Sequence, residues 1–311
     1  MKINLSNIKK AKYFLDNEDC IAVPTETVYG LAANAYSNKA TSKIFKLKKR
    51  PKRNPLIVHY HSLCDLKKDC HINKKFLNLY KKFCPGPISF VLKLKKNSLI
   101  SNNVTNHKKT LAVRFPKHPV IRKLLSNLDY PLAAPSANVS NKISPVSKAD
   151  VKDEFGNQIR YILDGGRSNI GLESTIINLI GKPEILRLGA LPSEQLKKIL
   201  RLRKKKTAKN IKIPVPGQNK LHYSPGIPLR LNVTKPRSNE ASLLIKKKFS
   251  SHKFNFYLSK NGNLKEVAKN LYSKLRLIKK KKFKSIAVEK IPNNGIGEAI
   301  NDRLRKASKF K

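Results

Sequence analysis

"CIAVPTETVYGL", residues 20–31, runs an apolar strand into a proline and then sets two threonines around a glutamate, before a tyrosine and a glycine. Hydroxyls and a carboxylate at the end of a buried strand have two readings. Thr and Ser in that place commonly cap a turn or a helix. The ends of buried strands are also where the ligand sites of α/β proteins gather. The segments on either side decide between a lone turn and a site.

Upstream, "NIKKAKYFLDN" reads as an amphipathic helix. Downstream, "NKATSKIFKLKKR" carries Ile44 and Leu47 at helical spacing and ends before Pro51. "PLIVHY" is a short buried strand, "NKKFLNLYKKF" a helix halted by "CPGP", and "ISFVLKLKK" and "TLAVRFP" are strands. A helix in "HPVIRKLLSNL" precedes "PLAAPSANVS", a strand leaving through a Pro-Ser turn. "IRYILDGG", "STIINLI" and "PEILRLG" read as further strands, and "LPSEQLKKILRLRKKK" as a helix capped by Ser193. Strands crowd together late in this region, which favours a mixed twisted sheet over a strictly parallel one. The texture changes from Lys204 to Gly226, where Pro, Gly and Lys dominate without periodicity, and this reads as a linker. Beyond it strand and helix patterns alternate again, predicting a second, small α/β domain over 227–311 after a first domain over 1–203.

The 311 residues suit one large or two ordinary domains, and 40% apolar residues are enough for a core. No apolar run is long enough for a transmembrane helix, and the opening residues contain acids and no apolar signal core, so a cytoplasmic chain is expected. Cys20, Cys64, Cys70 and Cys84 lack CxxC spacing. With His59, His61 and His71 they do not form the tight pairs of structural zinc, so no metal site is expected. The net charge of +48 has two readings. It is a phosphate-seeking field for nucleic acid, or it is lysine substituted at solvated positions by a biased genome. The lysines are dispersed rather than gathered on a patch, and weak tRNA affinity is compatible with both.

There is no GxxxxGK[ST] loop, no GxGxxG fingerprint and no Gly-x-Ser-x-Gly elbow, so a nucleotide here must be held by side chains and turns. Four polar clusters close apolar strands. The first is "PTETVYG". The second is "KLKKRPKRNPLIVHY", in which Lys48 and Arg50 diverge on a helix but share a side if the stretch before Pro51 is extended. The third is "TLAVRFP", where Arg114 inside an apolar strand needs an anion, a solvent cleft or a core acid. The fourth is "APSANVSNKISP", where small residues let the backbone approach a ligand and Ser136 and Asn138 offer a hydroxyl and an amide, or only turn the chain.

Taken together, "VPTETVYGLAANA", "KKRPKRNPLIVH", "CPGPISFVLK", "LAVRFPKHP", "APSANVS", "DGG", "GLESTIINL" and "ILRLGAL" resemble the motifs of the YrdC-like family, the threonylcarbamoyl-AMP synthases, in family order over most of residues 20–191. "PGQNKLHYSPGIPL" and "GIGEAINDRLRKAS" resemble its longer, two-domain form. The resemblance implies a twisted mixed sheet with a large basic concavity, followed by a small Rossmann-like C-terminal domain. It implies a nucleotidyltransferase in which threonine and bicarbonate give N-carboxy-threonine, whose carboxylate attacks the α-phosphate of ATP. Pyrophosphate leaves, and other proteins transfer the threonylcarbamoyl group to tRNA. It places Lys48, Arg50, Ser136 and Asn138 at the reacting centre. Thr27, His59, Arg114, Ser136 and Ser174 are implied around threonine. Lys48, Arg50, Asn54, Thr110, Asn138, Ser144, Arg187 and Tyr223 are implied at ATP, with Tyr223 reaching back from the linker. ATP is a substrate on this reading, and Mg²⁺ is expected to accompany it. The sequence departs from the family at Asn141, where glycine is usual, at "RLGAL" and at "GQNKLHY". A basic RNA-binding module of the same fold, without ATP turnover, is the alternative. The related carbamoyltransferases of hydrogenase maturation carry acylphosphatase and zinc-finger modules that this sequence lacks.

Overall fold

The computed structural model describes residues 3–200, 222–247 and 252–309. Helix α1 (Leu5–Asp16) leads into the hairpin β1 (Ile21–Val23) and β2 (Gly30–Asn34). There follow α2 (Asn38–Lys48), β3 (Ile57–His59), α3 (Leu63–Asp69), α4 (Lys74–Phe83), β4 (Ile88–Lys93), α5 (Asn102–Thr105), β5 (Thr110–Arg114), α6 (Pro119–Leu125), β6 (Leu132–Ala133) and α7 (Lys148–Phe155). Strands β7 (Thr175–Asn178) and β8 (Glu184–Arg187) and helix α8 (Ser193–Leu200) complete the first part. The second part comprises β9 (Leu229–Leu231), β10 (Ala241–Lys246), β11 (Asn255–Ser259), α9 (Leu264–Lys280), β12 (Ile286–Val288) and α10 (Gly297–Ala307).

The first sheet has eight strands in the order β1-β2-β6-β3-β5-β4-β7-β8. It is mixed: β3 and β5 run parallel, as do β4 and β7, and the other neighbours run antiparallel. Side chains alternate across a strand, so each central strand feeds two environments. Val58, Phe90, Leu92, Leu111, Val113 and Ile177 face a large core filled from α2, α4 and α7 by residues such as Ile44, Phe76 and Phe155. The opposite face is divided. Helices α1 and α6 cover its β1–β2–β6 end with Ile8, Leu15, Ile121 and Leu124. Over β3, β5, β4 and β7 that same face carries the small apolar group Ile57, Val91, Ala112 and Ile176, and it alternates there with His59, Arg114 and Ser89. One side of the sheet is therefore core, and the other is core at its β1–β2–β6 end and the floor of a hollow over β3, β5, β4 and β7.

The second sheet is four-stranded and wholly parallel, ordered β11-β10-β12-β9. Its core includes Leu243, Leu258, Leu271 and Ile300 and continues without a break into Val28, Ile143, Val146 and Leu172 of the first part. Polar ties follow the apolar ones. Arg276 on α9 donates to the Ile143 carbonyl at 2.5 Å, and Lys280 pairs with Asp153. Gly171, at φ +78°, lets its loop lie against α9, where a Cβ would stand 2.6 Å from the Ala268 carbonyl oxygen.

Several sequence expectations are adjusted by these elements. The "GLAAN" stretch, to which the sequence patterns assign no element, is the strand β2; its small residues carry little β-propensity, and pairing with β1 and β6 supplies the structure instead. "IRYILDGG" touches the sheet only as an isolated bridge between Ala22 and Ile162. Ser193 begins α8 within the helix and does not precede it. Residues 204–221 of the expected linker, and the C-terminal end of the helix expected beyond Leu200, lie outside the described residues.

Candidate functional site

The hollow over β3 and β5 is a cleft of about 600 Å³, its mouth included. It is lined by Lys48, Arg50, His59, Arg114, Ser136, Asn138, Ser174, Arg187 and Tyr223, all singled out from the sequence, and also by Thr25, Ser140, Glu173 and His222. All four polar clusters contribute to it.

Lys48 ends α2, and the chain reverses there. Lys49 takes the left-handed conformation (φ 48°, ψ 44°), and the Arg50 and Lys49 amides donate back to Phe45 and Lys46. This 6→1 and 5→2 pair closes the helix as a Schellman motif, at a conformational cost of about 1 kcal/mol for a non-glycine residue. The expected extended stretch is thus a helix cap, and the reversal is what brings Lys48 and Arg50 to one cavity. Arg50 is clasped by the carbonyls of Asn54 (3.1 Å) and Pro55 (3.0 Å). Lys48 is 1% exposed and donates to the carbonyls of Ser136 and Asn138, both at 2.5 Å, while the Lys48 carbonyl accepts from the Ser140 amide. Two sequence signatures nearly ninety residues apart therefore form one unit. The Asn138 amide group donates to Val139 and Lys142, so this side chain builds the turn that it also presents to the cleft.

Strand register assembles the opposite wall. His59 lies beside Arg114, Arg114 beside Ser89, and the Ser89 and Ser174 hydroxyls meet at 2.8 Å. Glu26, the unassigned acid of the opening stretch, accepts from Arg114 Nη2 at 2.7 Å and from the Lys117 and His118 amides. Arg114 thus has its core acid and still lines the cleft. Its Nε is buried without a partner, as is His59 Nδ1. Burial, assisted by Arg114, holds His59 well below the ordinary histidine range, so its ring is neutral.

Arg187 grips the Ser174 carbonyl through Nε (3.1 Å) and Nη2 (2.8 Å). Gly189 is required for this approach, since a Cβ there would lie 2.4 Å from the Thr175 amide nitrogen. Tyr223 enters from the residues before β9. Its φ of +64° is held by a Ser224 amide bond to the Asn141 carbonyl at 2.8 Å, and Asn141 itself sits at φ +71°, a region that Asn tolerates. Burial pushes the Tyr223 hydroxyl up to about 12 and His222 down to about 3, so both are neutral near pH 7.

The cations are poorly balanced. Burial and the neighbouring Arg50 push Lys48 well below the ordinary lysine range. Burial and Arg187 pull Arg50 down to about 10, and burial lowers Arg187 too. Among the described residues Glu173 is the one acid of the lining, and it is committed elsewhere: it accepts from Ser144 (2.6 Å), Tyr272 (3.1 Å) and Arg303 (2.8 Å). Burial would raise its pKa, but Arg303 and Arg187 outweigh that and hold it at about 2. Arg50 thus stands against Lys48 on one side and Arg187 on the other, a row of like charges that an anion would neutralise.

Four residues expected at the site stand apart from the lining. Thr27 is fully buried behind Thr25, their hydroxyls 2.8 Å apart; Thr25 faces the cleft and accepts from the Thr27 and Val28 amides. Asn54 offers its carbonyl to Arg50. Ser144 lies beneath, between Asn138 and Glu173. Thr110 begins β5, four residues from Arg114 and at its far end. The sequence reading passed over Glu173 and His222; the only signal for either was an acid or an imidazole inside a quoted motif.

The family described as "Telomere recombination" (Sua5_yciO_yrdC) matches residues 13–189, and that described as "Threonylcarbamoyl-AMP synthase, C-terminal domain" matches residues 191–309. A threonylcarbamoyl-AMP synthase of Pyrococcus abyssi is 35% identical over 98% of this chain and 94% of its own length. One of Bacillus subtilis is 33% identical over 99% and 94%. The crystal structure of P. abyssi Sua5 complexed with L-threonine superposes with a TM-score of 0.89 at 34% identity, covering 99% of this chain and 96% of that one.

Proposed function

This chain belongs to the threonylcarbamoyl-AMP synthase family, and from that premise we propose that it makes L-threonylcarbamoyl-AMP from L-threonine, bicarbonate and ATP. The threonine amine attacks the bicarbonate carbon and water is lost, giving the carbamate. A carbamate oxygen then attacks the α-phosphorus, the bond from that phosphorus to the bridging oxygen breaks, and pyrophosphate leaves. Both the nucleotide and the carbamate are anions, and the second is labile, so the reaction needs cations in a site closed to water.

The observation that carries this reading is the set of buried polar atoms without a partner. Among the described residues these include His59 Nδ1, Arg114 Nε, Ser140 Oγ, His222 Nδ1 and the Tyr223 hydroxyl, all on residues that line one cleft with Lys48, Arg50 and Arg187. Buried polar atoms are rarely left unpaired, and such a cluster marks a place for a polar ligand. Arg114, oriented by Glu26, receives the threonine carboxylate, with His59, Ser136 and Ser174 around the rest of that substrate. Thr27 acts from behind, by holding Thr25. Lys48, Arg50 and Arg187 receive the triphosphate and the charge that grows on the departing pyrophosphate. Lys48 and Arg50, with Ser136 and Asn138, surround the reacting atoms. Asn54 and Ser144 support Arg50 and Asn138. Tyr223 closes the nucleotide side. No side chain is needed as a covalent nucleophile; positioning and electrostatics suffice. Mg²⁺ comes with the triphosphate. Among the described residues the only carboxylate of the lining, Glu173, is taken up by Arg303 and Tyr272, so these residues offer no cage for the ion.

Residues 1–203 serve as the catalytic domain, 204–226 as a linker and 227–311 as a C-terminal domain. The product is consumed by proteins that transfer the threonylcarbamoyl group to tRNA in the cytoplasm, and the +48 charge supports a weak affinity for tRNA itself. Among the described residues no helix is long and apolar enough to cross a membrane. Pyrophosphate release measured with each substrate omitted in turn tests the reaction. Release that needs threonine, bicarbonate and ATP together is expected, and release indifferent to threonine would overturn it.

A further inference from the structure

Arg303 belongs to α10 in the second part of the chain, yet it is 1% exposed and ends at the cleft wall of the first part. Each of its three guanidinium nitrogens donates a hydrogen bond. Nε donates to Glu173 Oε2 at 2.8 Å, Nη2 to the Leu188 carbonyl at 2.9 Å and Nη1 to Asp302 at 2.6 Å. Its planar face lies over the Tyr223 ring, 4.7 Å from the centroid. Tyr272 of α9 adds a second contact from the same side. Its ring stacks on Tyr223 at 6.0 Å and 17°, and its hydroxyl meets Glu173. Tyr223, for its part, sits at a left-handed φ that an aromatic residue does not hold unaided. Only surrounding contacts keep it there; beside its chain neighbour His222, whose ring lies 3.9 Å away, the ring contacts come from α9 and α10. Glu173 is bonded in sequence to Ser174, and Leu188 follows Arg187, so the same fork also fixes the two residues that join the threonine side to the phosphate side.

We propose that Arg303 is a positioning residue for the adenylate-forming reaction: it holds Tyr223 across the cleft and Glu173 in its wall, so that the C-terminal domain completes the active site. This rests on the function proposed above. A purely structural interdomain ion pair would stabilise the protein and affect both substrates alike. A positioning residue that works chiefly through Tyr223 acts on the nucleotide side and loses most of its effect when Tyr223 is gone.

The experiment is a double-mutant cycle on the full chain, with Arg303→Lys and Tyr223→Ala. Lysine keeps the charge opposite Glu173 and so avoids leaving a buried carboxylate alone, but it cannot also reach Leu188 and cover the ring. The expected result is a rise of about tenfold in the KM for ATP with less than about a twofold change for threonine; added to Tyr223→Ala, Arg303→Lys should raise it by no more than about twofold further, through the lost Leu188 contact. Equal, additive losses for both substrates would overturn the proposal. The same four proteins are unfolded in urea without substrate. Coupling between the two positions there supports the contact whether or not the wild type turns over, and its absence counts against the contact. Absence of threonine-dependent pyrophosphate release by the wild type, by contrast, removes the function and leaves the urea cycle to be read.

Discussion

Lys48 shows how one side chain carries structure and chemistry together. Its ammonium is buried, holds two carbonyls of the 136–138 turn, and sits beside Arg50. Two hydrogen bonds leave one N–H for a ligand. The repulsion of Arg50 by Lys48 and by Arg187 is unfavourable in the free protein, and a triphosphate removes it. Arg50 keeps its fork oriented by two carbonyls even without a ligand. Lys48→Ala and Arg50→Ala are each expected to lower turnover at least about tenfold, on the order of 1.4 kcal/mol or more at the transition state. Steady-state pyrophosphate release checks this, and wild-type rates in either variant would show a solvated helix end and not a phosphate site. The residue types and their order were legible in the sequence because the chemistry demands cations and small hydroxyl residues at strand ends. Their mutual geometry was not. The αL reversal at Lys49 is a single-residue event with no glycine to announce it, and Glu26 acquired a role only once Arg114, 88 residues away in sequence, was seen beside it. Thr27 illustrates the same limit: with two threonines flanking one glutamate, only the fold decides that Thr25 faces the cleft.

The elements place these residues through short contacts that tolerate little change. The "RLG" turn after β8 lies against the start of β7, so a methyl group at Gly189 meets backbone at 2.4 Å and has no flexible neighbour to displace. Gly189→Ala is expected to cost about 1–3 kcal/mol by overpacking, read as a lower urea midpoint at unchanged m-value. It should also disturb the Ser174 carbonyl that Arg187 grips. Long periodic elements were the legible ones: α1, α2, α4, α9 and α10, and the alternating strands β4 and β5. Helices α3, α5 and α7 were not singled out from the sequence. They span four to eight residues, too short for an apolar stripe, and depend on side-chain caps such as Ser62, Ser101 and Ser147. Lysine dispersal also has a local logic here. Helices α2, α3, α4, α6, α8, α9 and α10 each carry two basic residues in the last turn, where the helix dipole favours positive charge.

At the scale of the whole molecule two electrostatic regimes coexist, and they respond to different variables. Buried pairs such as Arg303–Glu173 and Arg114–Glu26 are shielded from ions in solution, and the first of them responds to pH. Glu173, held at about 2 by Arg303 and Arg187 against burial, has a folded pKa below its ordinary value near 4.5. Its contribution is therefore complete above about pH 4.5 and is lost as pH falls toward about 2. Glu173→Gln should be less stable at neutral pH, and its stability should fall with acid over that window with a slope shallower by about one proton, measured by urea unfolding at several pH values. The surface obeys the other regime. Sixty-seven basic residues against nineteen acidic ones leave +48, and spreading them along an unfolded chain relieves their repulsion, so the folded state bears the cost. Exposed pairs such as Lys12–Asp16 and Lys68–Asp65 return little of it. Salt shortens the reach of repulsion from about 10 Å at 0.1 M to about 3 Å at 1 M while leaving the buried pairs nearly untouched. Raising KCl from about 0.05 M to about 0.5 M should therefore raise the thermal unfolding midpoint by several degrees, with chloride chosen over sulfate so that excluded-ion effects stay small. A midpoint that falls with KCl would mean that surface ion pairs outweigh the net repulsion. That outcome would in turn require the lysines to be arranged against acids, and not dispersed as their spacing along the chain indicates.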